Sequence, residues 1–447
     1  MTTTSPRSTR LPKHHRPPGI GLLLILLPTL PLTPSAQGIP EYELPPIRYS
    51  QTPATNAIET LQHSINHETF TLLGATDKDT LENCLHTLHV SPDTQVLLFS
   101  KTSLQRRRIS PENPRALFFS DDLYLGWVPG GLIEATSSDP SLGLAFYSLN
   151  PRPDSSKLQF HRDESCLTCH AGPLTRQWPA LIVRSIFPDA TGEPIGNAGS
   201  FLTDHTSPLE ERWGGWYVTG HHGDARHMGN VTANANLEYA SLLNRENGAN
   251  LTNLSHLFTT SRYPRPDSDV LALMILEHQV MVHNRLAEGA LRVRRWMHYQ
   301  QSLQKELGEP VSNTPTGTAL KVVQSETQRI LEALLFVNEA PLPPQGIQGN
   351  PDFPAAFQSN RKPDPKNRSL KDLNLKTRLF QYRCSYLIHS QAFSYLPPQL
   401  KDSLYLSLLT ILTCPTPKPP FNHLPAEERQ AILEILQATQ PDWPQAG

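Results

Sequence analysis

Short apolar runs separated by turn residues follow one another between residue 94 and residue 149. The runs TQVLLFS, ALFFS, LYLGWV and LAFYSL are rich in β-branched and aromatic residues, and SPENP, PGG and SSDPSLG stand near them. Such runs between turns are typical of short strands. Just before them, Leu81, Leu85 and Leu88 recur at helical spacing. The pattern predicts an N-terminal α+β domain over residues 37–150.

The pattern becomes helical from Asp267 onward. DSDVLALMILEHQVMVHNRLAEGALRV starts at Asp or Ser capping residues and holds no helix breaker, and GTALKVVQSETQRILEALLFV is a second amphipathic stretch. The proline-rich residues 339–369 predict a loop, and LKTRLFQYRCSYLIHSQAF, PQLKDSLYLSLLTIL and PAEERQAILEILQAT predict further helices. We therefore expect an α+β fold with a linker at 150–156, a central domain over 151–300 and a mainly helical region over 301–447.

The N-terminus has the three-part pattern of a secretory signal peptide. MTTTSPRSTRLPKHHR is basic, PPGIGLLLILLPTLPL is apolar, and TPSAQG offers small residues for cleavage near Ser35 or Ala36. Pro28 and Pro31 interrupt the apolar run, which is shorter than the roughly 20 residues of a membrane span. We expect a signal peptide over residues 1–36, with an uncleaved anchor as the alternative. Both place the protein outside the cytoplasm, in the periplasm or otherwise exported, and we expect no stable membrane span after cleavage.

Composition narrows the function classes. A formal net charge of −2 gives no electrostatic basis for binding nucleic acid or an anionic membrane. The basic run Arg106-Arg107-Arg108 lies among polar neighbours and is interpreted as a solvated loop. The chain has five cysteines. In an exported protein Cys384 and Cys414 are candidates for a disulfide, which would leave Cys84 unpaired.

The remaining two cysteines stand in HRDESCLTCHAGP, residues 161–173. Cys166, Cys169 and His170 form C-x-x-C-H, the attachment signature of c-type haem. Residues three apart share one face of a helical turn, so both thiols can bond one porphyrin, and the next residue, His170, becomes the proximal iron ligand. The motif predicts one covalently bound haem c.

Two other interpretations of the motif remain open. A zinc site would need a fourth ligand, and His161 is the nearest candidate beside Cys166, Cys169 and His170. No second C-x-x-C is present. A thioredoxin-like redox motif would need a strand before the motif, and HRDES is a poor strand sequence.

We expect the second axial ligand of the haem iron to come from TGHHGDARHMGN. This stretch holds His221, His222, His227 and Met228. A thioether ligand raises the haem potential and favours electron transfer. We expect Met228 to be the distal ligand, with His227 as the alternative. Surface exposure of the histidines and simple packing of Met228 are the competing explanations.

Other residues are weaker candidates for contact with the haem. His205 precedes the cluster, and the stretch LEHQVMVHN carries Glu277, His278 and His283 without forming H-E-x-x-H. His278 or Glu277 could lie at the haem edge as a ligand or proton donor, or simply make hydrogen bonds in the core. Three aromatic residues are candidates for shielding the porphyrin from water: Trp213, Trp216 and Tyr217. Three arginines are candidates for pairing with the haem propionates: Arg184, Arg212 and Arg226.

The motif makes the chain resemble a c-type cytochrome. LLFSKTSLQRR, ISPENPRALFFSDDLYLGWVPGG, TDHTSPLEERWGGWYVTG and RHMGN extend this resemblance to large, exported bacterial single-haem proteins described only as cytochrome c domain-containing. The resemblance implies a covalent haem c and one-electron transfer to an unknown redox partner. The alternatives are a peroxidase-like or oxidase-like haem enzyme and a haem-based sensor, each with an open distal site.

Overall fold

A seven-stranded antiparallel sheet forms the middle layer of the fold, in the strand order β6-β5-β4-β3-β2-β1-β9. The architecture comes from a computed structural model, which describes residues 38–72, 74–151, 158–234 and 243–444. The strands are β1 (Val96–Leu98), β2 (Arg115–Phe119), β3 (Leu123–Trp127), β4 (Ile133–Asp139), β5 (Gly143–Leu149), β6 (Phe160–Arg162) and β9 (Trp216–Tyr217). β7 (Arg184–Ile186) and β8 (Ser200–Leu202) form a separate two-stranded sheet.

The two faces of the large sheet contact different layers, because successive side chains of a strand point to opposite sides. On one face, residues such as Ala116, Leu125 and Tyr147 belong to a core shared with α1 (Ala57–Asn66) and α2 (Asp77–Thr87). On the other face, Phe119 and Tyr124 pack in a second core with the long helix α4 (Val270–Glu306). The sheet is therefore buried on both sides.

Helices build the C-terminal half. After α3 (Leu167–His170) and α4, the chain forms α5 (Gly317–Leu334), α6 (Phe353–Gln358), α7 (Gln391–Ser394), α8 (Pro398–Thr413) and α9 (Ala426–Thr439). α4 packs on α5, α5 on α8 and α8 on α9. The α+β fold class with a mainly helical C-terminal half is confirmed. The predicted cap is also confirmed, since the Asp269 carboxylate accepts hydrogen bonds from the amides of Leu271 and Ala272.

Two local expectations are wrong. The sequence pattern places SSD in a turn, but these residues end β4. The predicted helix around LKTRLFQYRC is irregular, because Leu375 has a φ of 60° and its amide bonds the carbonyl of Arg378 in a tight turn.

The described residues from Pro40 onward form one compact unit. The predicted signal peptide lies outside the described residues, as does most of the expected linker at 150–156. Across the described ranges, no helix combines the length and apolar character needed to cross a bilayer. All five cysteines are described and all are free thiols, so Cys384 and Cys414 are not bridged.

Candidate functional site

A cavity of about 360 Å³ lies between the large sheet, α4 and the segment that carries the cysteine motif. Pockets that bind small molecules and cofactors typically measure about 300 to 1,000 Å³. Much of the wall is apolar and includes Leu98, Leu117, Phe146, Val183, Leu276 and Val280. Such walls exclude water from a bound group.

All three motif residues line this cavity. Cys166 is the N-cap of α3, and Cys169 and His170 are its last two residues. The predicted single helical turn is therefore present, and it brings both free thiols to one cavity. Cys166 is half-buried and Cys169 is exposed, so the motif lies at the cavity entrance.

His170 is fixed by its hydrogen bonds with Ala180. Its Nδ1 lies 2.7 Å from the Ala180 carbonyl oxygen, and the Ala180 amide donates to the His170 carbonyl at 2.8 Å. The next residue, Leu181, makes two bonds with the Asn284 side chain of α4, at 2.8 Å and 2.9 Å. With Nδ1 used in this way, Nε2 has no hydrogen-bond partner among the described residues. This arrangement is the usual support of a histidine that binds metal through Nε2.

The protonation state of His170 suits metal binding. Burial lowers its pKa, and the Ala180 carbonyl opposes this effect only in part. The ring lies 4.8 Å from the Phe146 ring of β5, centroid to centroid. The imidazole is therefore neutral at pH 7, which is the form that ligates metals.

The alternative roles of the motif fit the structure less well. Burial, Asp163 and Glu134 raise the pKa of Cys166 to about 12, whereas C-x-x-C oxidoreductases need a lowered thiol pKa. The strand that a thioredoxin-like motif needs before it is present, contrary to the expectation from HRDES, because β6 directly precedes the motif. For zinc, no three His, Cys, Asp or Glu side chains of the described residues are grouped as an ion would require.

An ion pair in the sheet lines the same cavity. Arg115 of β2 pairs with Glu134 of β4 across β3. Gly126 of β3 stands between them, and a Cβ there would come within 2.4 Å of the Arg115 guanidinium. A side chain at this position would therefore push the guanidinium aside.

Of the predicted arginines and aromatic residues, only Arg184 and Trp216 line the cavity. The Trp216 indole N–H donates to the Arg184 carbonyl at 2.9 Å. Arg212 lies elsewhere, in a buried ion pair with Glu277 at 2.7 Å. Among the remaining predicted residues, Arg226 pairs with Glu246, Trp213 packs against His227, and Tyr217 bonds Pro111.

The structure does not bring Met228 or His227 to the cavity. Met228 is fully buried in a small cluster with Phe187, and the Ser185 hydroxyl lies 3.5 Å from its sulfur. Ser185 follows Arg184 on β7, and adjacent strand residues point to opposite sides. Met228 therefore lies behind β7, on the side away from the cavity. His227 accepts a hydrogen bond from the Gly229 amide, and its ring contacts those of Trp213 and His222.

The other two histidines of that stretch, His221 and His222, are held by hydrogen bonds with backbone groups. His221 is exposed, and its backbone bridges to Gln348. His222 Nδ1 lies 3.0 Å from the Ala225 carbonyl, and its Nε2 accepts from the Asn250 amide. Neither residue lines the cavity.

His278 also faces away from the cavity. Its Nδ1 lies 2.9 Å from His205 Nδ1, and its Nε2 lies 2.8 Å from the Ser385 hydroxyl. Residues two apart on a helix point in nearly opposite directions, so Leu276 and Val280 face the cavity while His278 faces the C-terminal helices. His283, seven residues after Leu276, is on the cavity side instead, and it lies 2.6 Å from the Tyr124 hydroxyl.

Sequence reasoning missed several residues of the site. No sequence motif marks Ala180, Asn284, the Arg115–Glu134 pair or Tyr124. The hydroxyl and amide groups within otherwise apolar runs, at Tyr124 and Asn284, were the available signal, since buried polar groups need partners. Comparisons with protein-family models, curated proteins and solved structures found no match.

The donor set fits a covalently held haem. Two free thiols three residues apart, a neutral imidazole fixed through Nδ1, and apolar walls share one cavity. Arg184 is the lining cation suited to a propionate, and its Nε donates to the Ser200 hydroxyl at 2.9 Å.

Proposed function

We propose that this protein is an exported c-type cytochrome. Cys166 and Cys169 would hold one haem c through thioether bonds, and His170 would be its proximal ligand. The observation that carries the proposal is the fixed orientation of His170, whose Nδ1 is held by Ala180 inside a largely apolar cavity that both cysteines also line. When bound, the haem would supply one-electron redox chemistry or binding of a small ligand.

We further propose that the sixth position is open to a small exogenous ligand. Apart from His170 and the motif cysteines, the lining residues include no histidine, methionine or cysteine of the described chain. Tyr124, Thr136 and the paired Arg115 and Glu134 are the polar side chains that the sheet offers there. This arrangement favours a ligand-binding haem, in an enzyme or a sensor, over a carrier with methionine as sixth ligand.

Electron exchange with a partner protein is the second candidate. It is favoured by the cavity entrance, where Leu104 is 57% exposed and Leu174 is 48% exposed beside the exposed Cys169. Exposed apolar side chains that form a contiguous patch mark docking surfaces. The two candidates differ in one observable, which is the occupancy of the sixth position.

The test uses the full chain exported from a host with haem-maturation machinery. We expect a haem-stained band on a denaturing gel from the wild type and from Cys414→Ser, a control at another half-buried free cysteine. We expect no stained band from the Cys166→Ser/Cys169→Ser double variant. Haem that survives the double variant, or a wild type without covalent haem, would refute the proposal.

Carbon monoxide then separates the two candidate functions. An open sixth position predicts a high-spin ferric spectrum and rapid binding of carbon monoxide to the reduced protein. A carrier with two protein ligands predicts a low-spin spectrum and little binding.

A further inference from the structure

Tyr124 connects the cavity to a buried histidine. It lines the cavity from β3, it is 8% exposed, and its hydroxyl lies 2.6 Å from Nδ1 of His283, which is 1% exposed. The two rings meet edge to face, 5.7 Å apart between centroids. A tyrosine and a histidine bonded in this way can pass a proton from oxygen to nitrogen.

A second, much smaller cavity lies beyond His283. It measures about 10 Å³ and is lined by His283, Ser138, Asp139, Arg294 and Tyr395, among others. A cavity of roughly 10 to 15 Å³ is the least that holds one water molecule, provided that polar groups surround it. Its lining meets this second requirement.

Two buried donors at this small cavity need a partner. Arg294 Nη1 makes no hydrogen bond with the described residues, and His283 Nε2 makes none of normal geometry, although the nearby Asp121 backbone carbonyl raises the His283 pKa. Arg294 Nη2, by contrast, donates to the Tyr395 carbonyl at 2.6 Å. Buried polar atoms of this kind are usually satisfied by ordered water. One water here would accept from both donors and could donate onward to Ser138 or Asp139.

We propose that Tyr124, His283 and one buried water form a proton relay between the cavity of the cysteine motif and the half-buried surface at Arg294 and Tyr395. The inference rests on the proposed function for what consumes or releases the proton in the cavity. In one passage, the Tyr124 O–H bond breaks as a bond forms at His283 Nδ1, the His283 Nε2–H bond breaks as a bond forms to the water, and the water releases one of its protons toward the surface at Arg294 and Tyr395. A proton from the cavity restores the Tyr124 hydroxyl, so one proton crosses and no oxidant is required. The reverse passage returns His283 to its starting tautomer.

The surroundings keep both relay groups neutral at rest. Burial raises the pKa of Tyr124 well above its ordinary value and lowers that of His283 to about 4. The groups that face the pair are Gln279, whose side chain hydrogen-bonds Tyr124, Asp121, whose backbone carbonyl raises the His283 pKa, Asp122, Arg294 and His278. The Asp121 carboxylate is itself bound by Lys371 at 2.7 Å. Because a charge on either group is costly here, the two transfers are expected to occur together.

The first test does not need haem. Nitrogen-15 NMR of the histidines, in full-length chain made without haem maturation, should show His283 neutral from pH 5 to 8. It should be protonated at Nε2, with an exchange cross-peak between this N–H and a long-lived internal water. Titration of His283 near its ordinary pKa, or an Nε2–H without a water cross-peak, would overturn the relay whether or not the protein binds haem.

The second test uses the haem-loaded protein and two tyrosine variants. Tyr147 is another buried tyrosine of the same sheet, but its side chain points to the opposite face and its hydroxyl bonds Asn56, so Tyr147→Phe is the control. We expect Tyr124→Phe to slow reduction by a proton-coupled reductant at least about tenfold and to remove its solvent deuterium isotope effect, with the absorption spectrum unchanged. Equal rates and isotope effects in the two variants would overturn the relay. A wild type that lacks covalent haem would instead refute the proposed function, and the NMR test would still decide the relay.

Discussion

His170 and Ala180 hold each other by two hydrogen bonds, one from the imidazole Nδ1 to the Ala180 carbonyl and one from the Ala180 amide to the His170 carbonyl. The pair is anchored to α4, because Asn284 bonds both backbone groups of the adjacent Leu181. The orientation of the proposed proximal ligand therefore depends on a side chain more than 100 residues further along the chain. Positioning through an outer partner is common at metal sites.

Replacement of Asn284 tests this dependence. In Asn284→Leu the amide and carbonyl of Leu181 lose their partners, so we expect the free energy of unfolding to fall by about 1–3 kcal/mol. In the haem-loaded protein the reduction potential should also shift, because the His170 ring loses its support. Urea denaturation and spectroelectrochemistry measure the two effects. Ser302→Ala, at an exposed position of the same helix, is the control and should change neither. An unchanged potential in Asn284→Leu would mean that Asn284 has no part in positioning His170.

Gly126 makes room for the Arg115–Glu134 pair, and substitution tests that claim. In Gly126→Ala the new methyl group would displace the Arg115 guanidinium. We expect a loss of about 1–3 kcal/mol in unfolding free energy from the disrupted pair. The control is Gly196→Ala, because a Cβ there meets no atom within 4 Å, and its effect should stay within about 0.5 kcal/mol. Equal stability of the two variants would show that Arg115 relocates freely.

The local part of the site could be predicted from the sequence, because its chemistry lies within five consecutive residues. Cys166, Cys169 and His170 share one helical turn wherever that turn is placed, and the structure places all three at the cavity. The strand pairs β2–β3 and β4–β5 are likewise local, since a short turn joins each pair and the apolar patterns mark most of them.

The distant part could not be predicted from spacing. A glycine-flanked loop beside histidines favours Met228 as a ligand, but the side of β7 on which that loop packs depends on tertiary contacts. The Ser185 side chain, which faces Met228, and the Arg184 side chain, which lines the cavity, differ by one position along β7. A shift of one residue in a strand exchanges its faces, and a single sequence does not fix that choice.

Met228→Leu tests whether the methionine sulfur reaches iron. The two side chains have similar volume, so we expect a stability loss below about 1.5 kcal/mol at this buried position. Because Met228 lies behind β7, the absorption spectrum of the haem-loaded protein should not change in either oxidation state. Loss of a sulfur-to-iron charge-transfer band in Met228→Leu would instead identify Met228 as the distal ligand and restore the electron-carrier interpretation. Phe187→Leu, in the same cluster, controls for repacking.

Acid should destabilise the protein through its buried histidines, and His227 is the clearest case. Burial, reinforced by His222, Arg226 and Arg245, lowers the pKa of His227 to about 3. In the unfolded chain a histidine has a pKa of about 6.5. Between these values the unfolded state binds a proton that the folded state does not. The contribution of His227 is therefore fully present above about pH 6.5 and decreases as the pH falls, by up to about 1.4 kcal/mol per pH unit.

The variant His227→Gln removes this proton uptake. Urea denaturation at several pH values from 6.5 to 4.5 should show that unfolding free energy falls less steeply with decreasing pH in His227→Gln than in the wild type. The difference should correspond to about one proton bound on unfolding. His256→Gln, at an exposed histidine, should leave the wild-type slope unchanged. If His227→Gln and the wild type have the same slope, His227 is already protonated in the folded protein, and a buried, neutral imidazole is the wrong description of this residue.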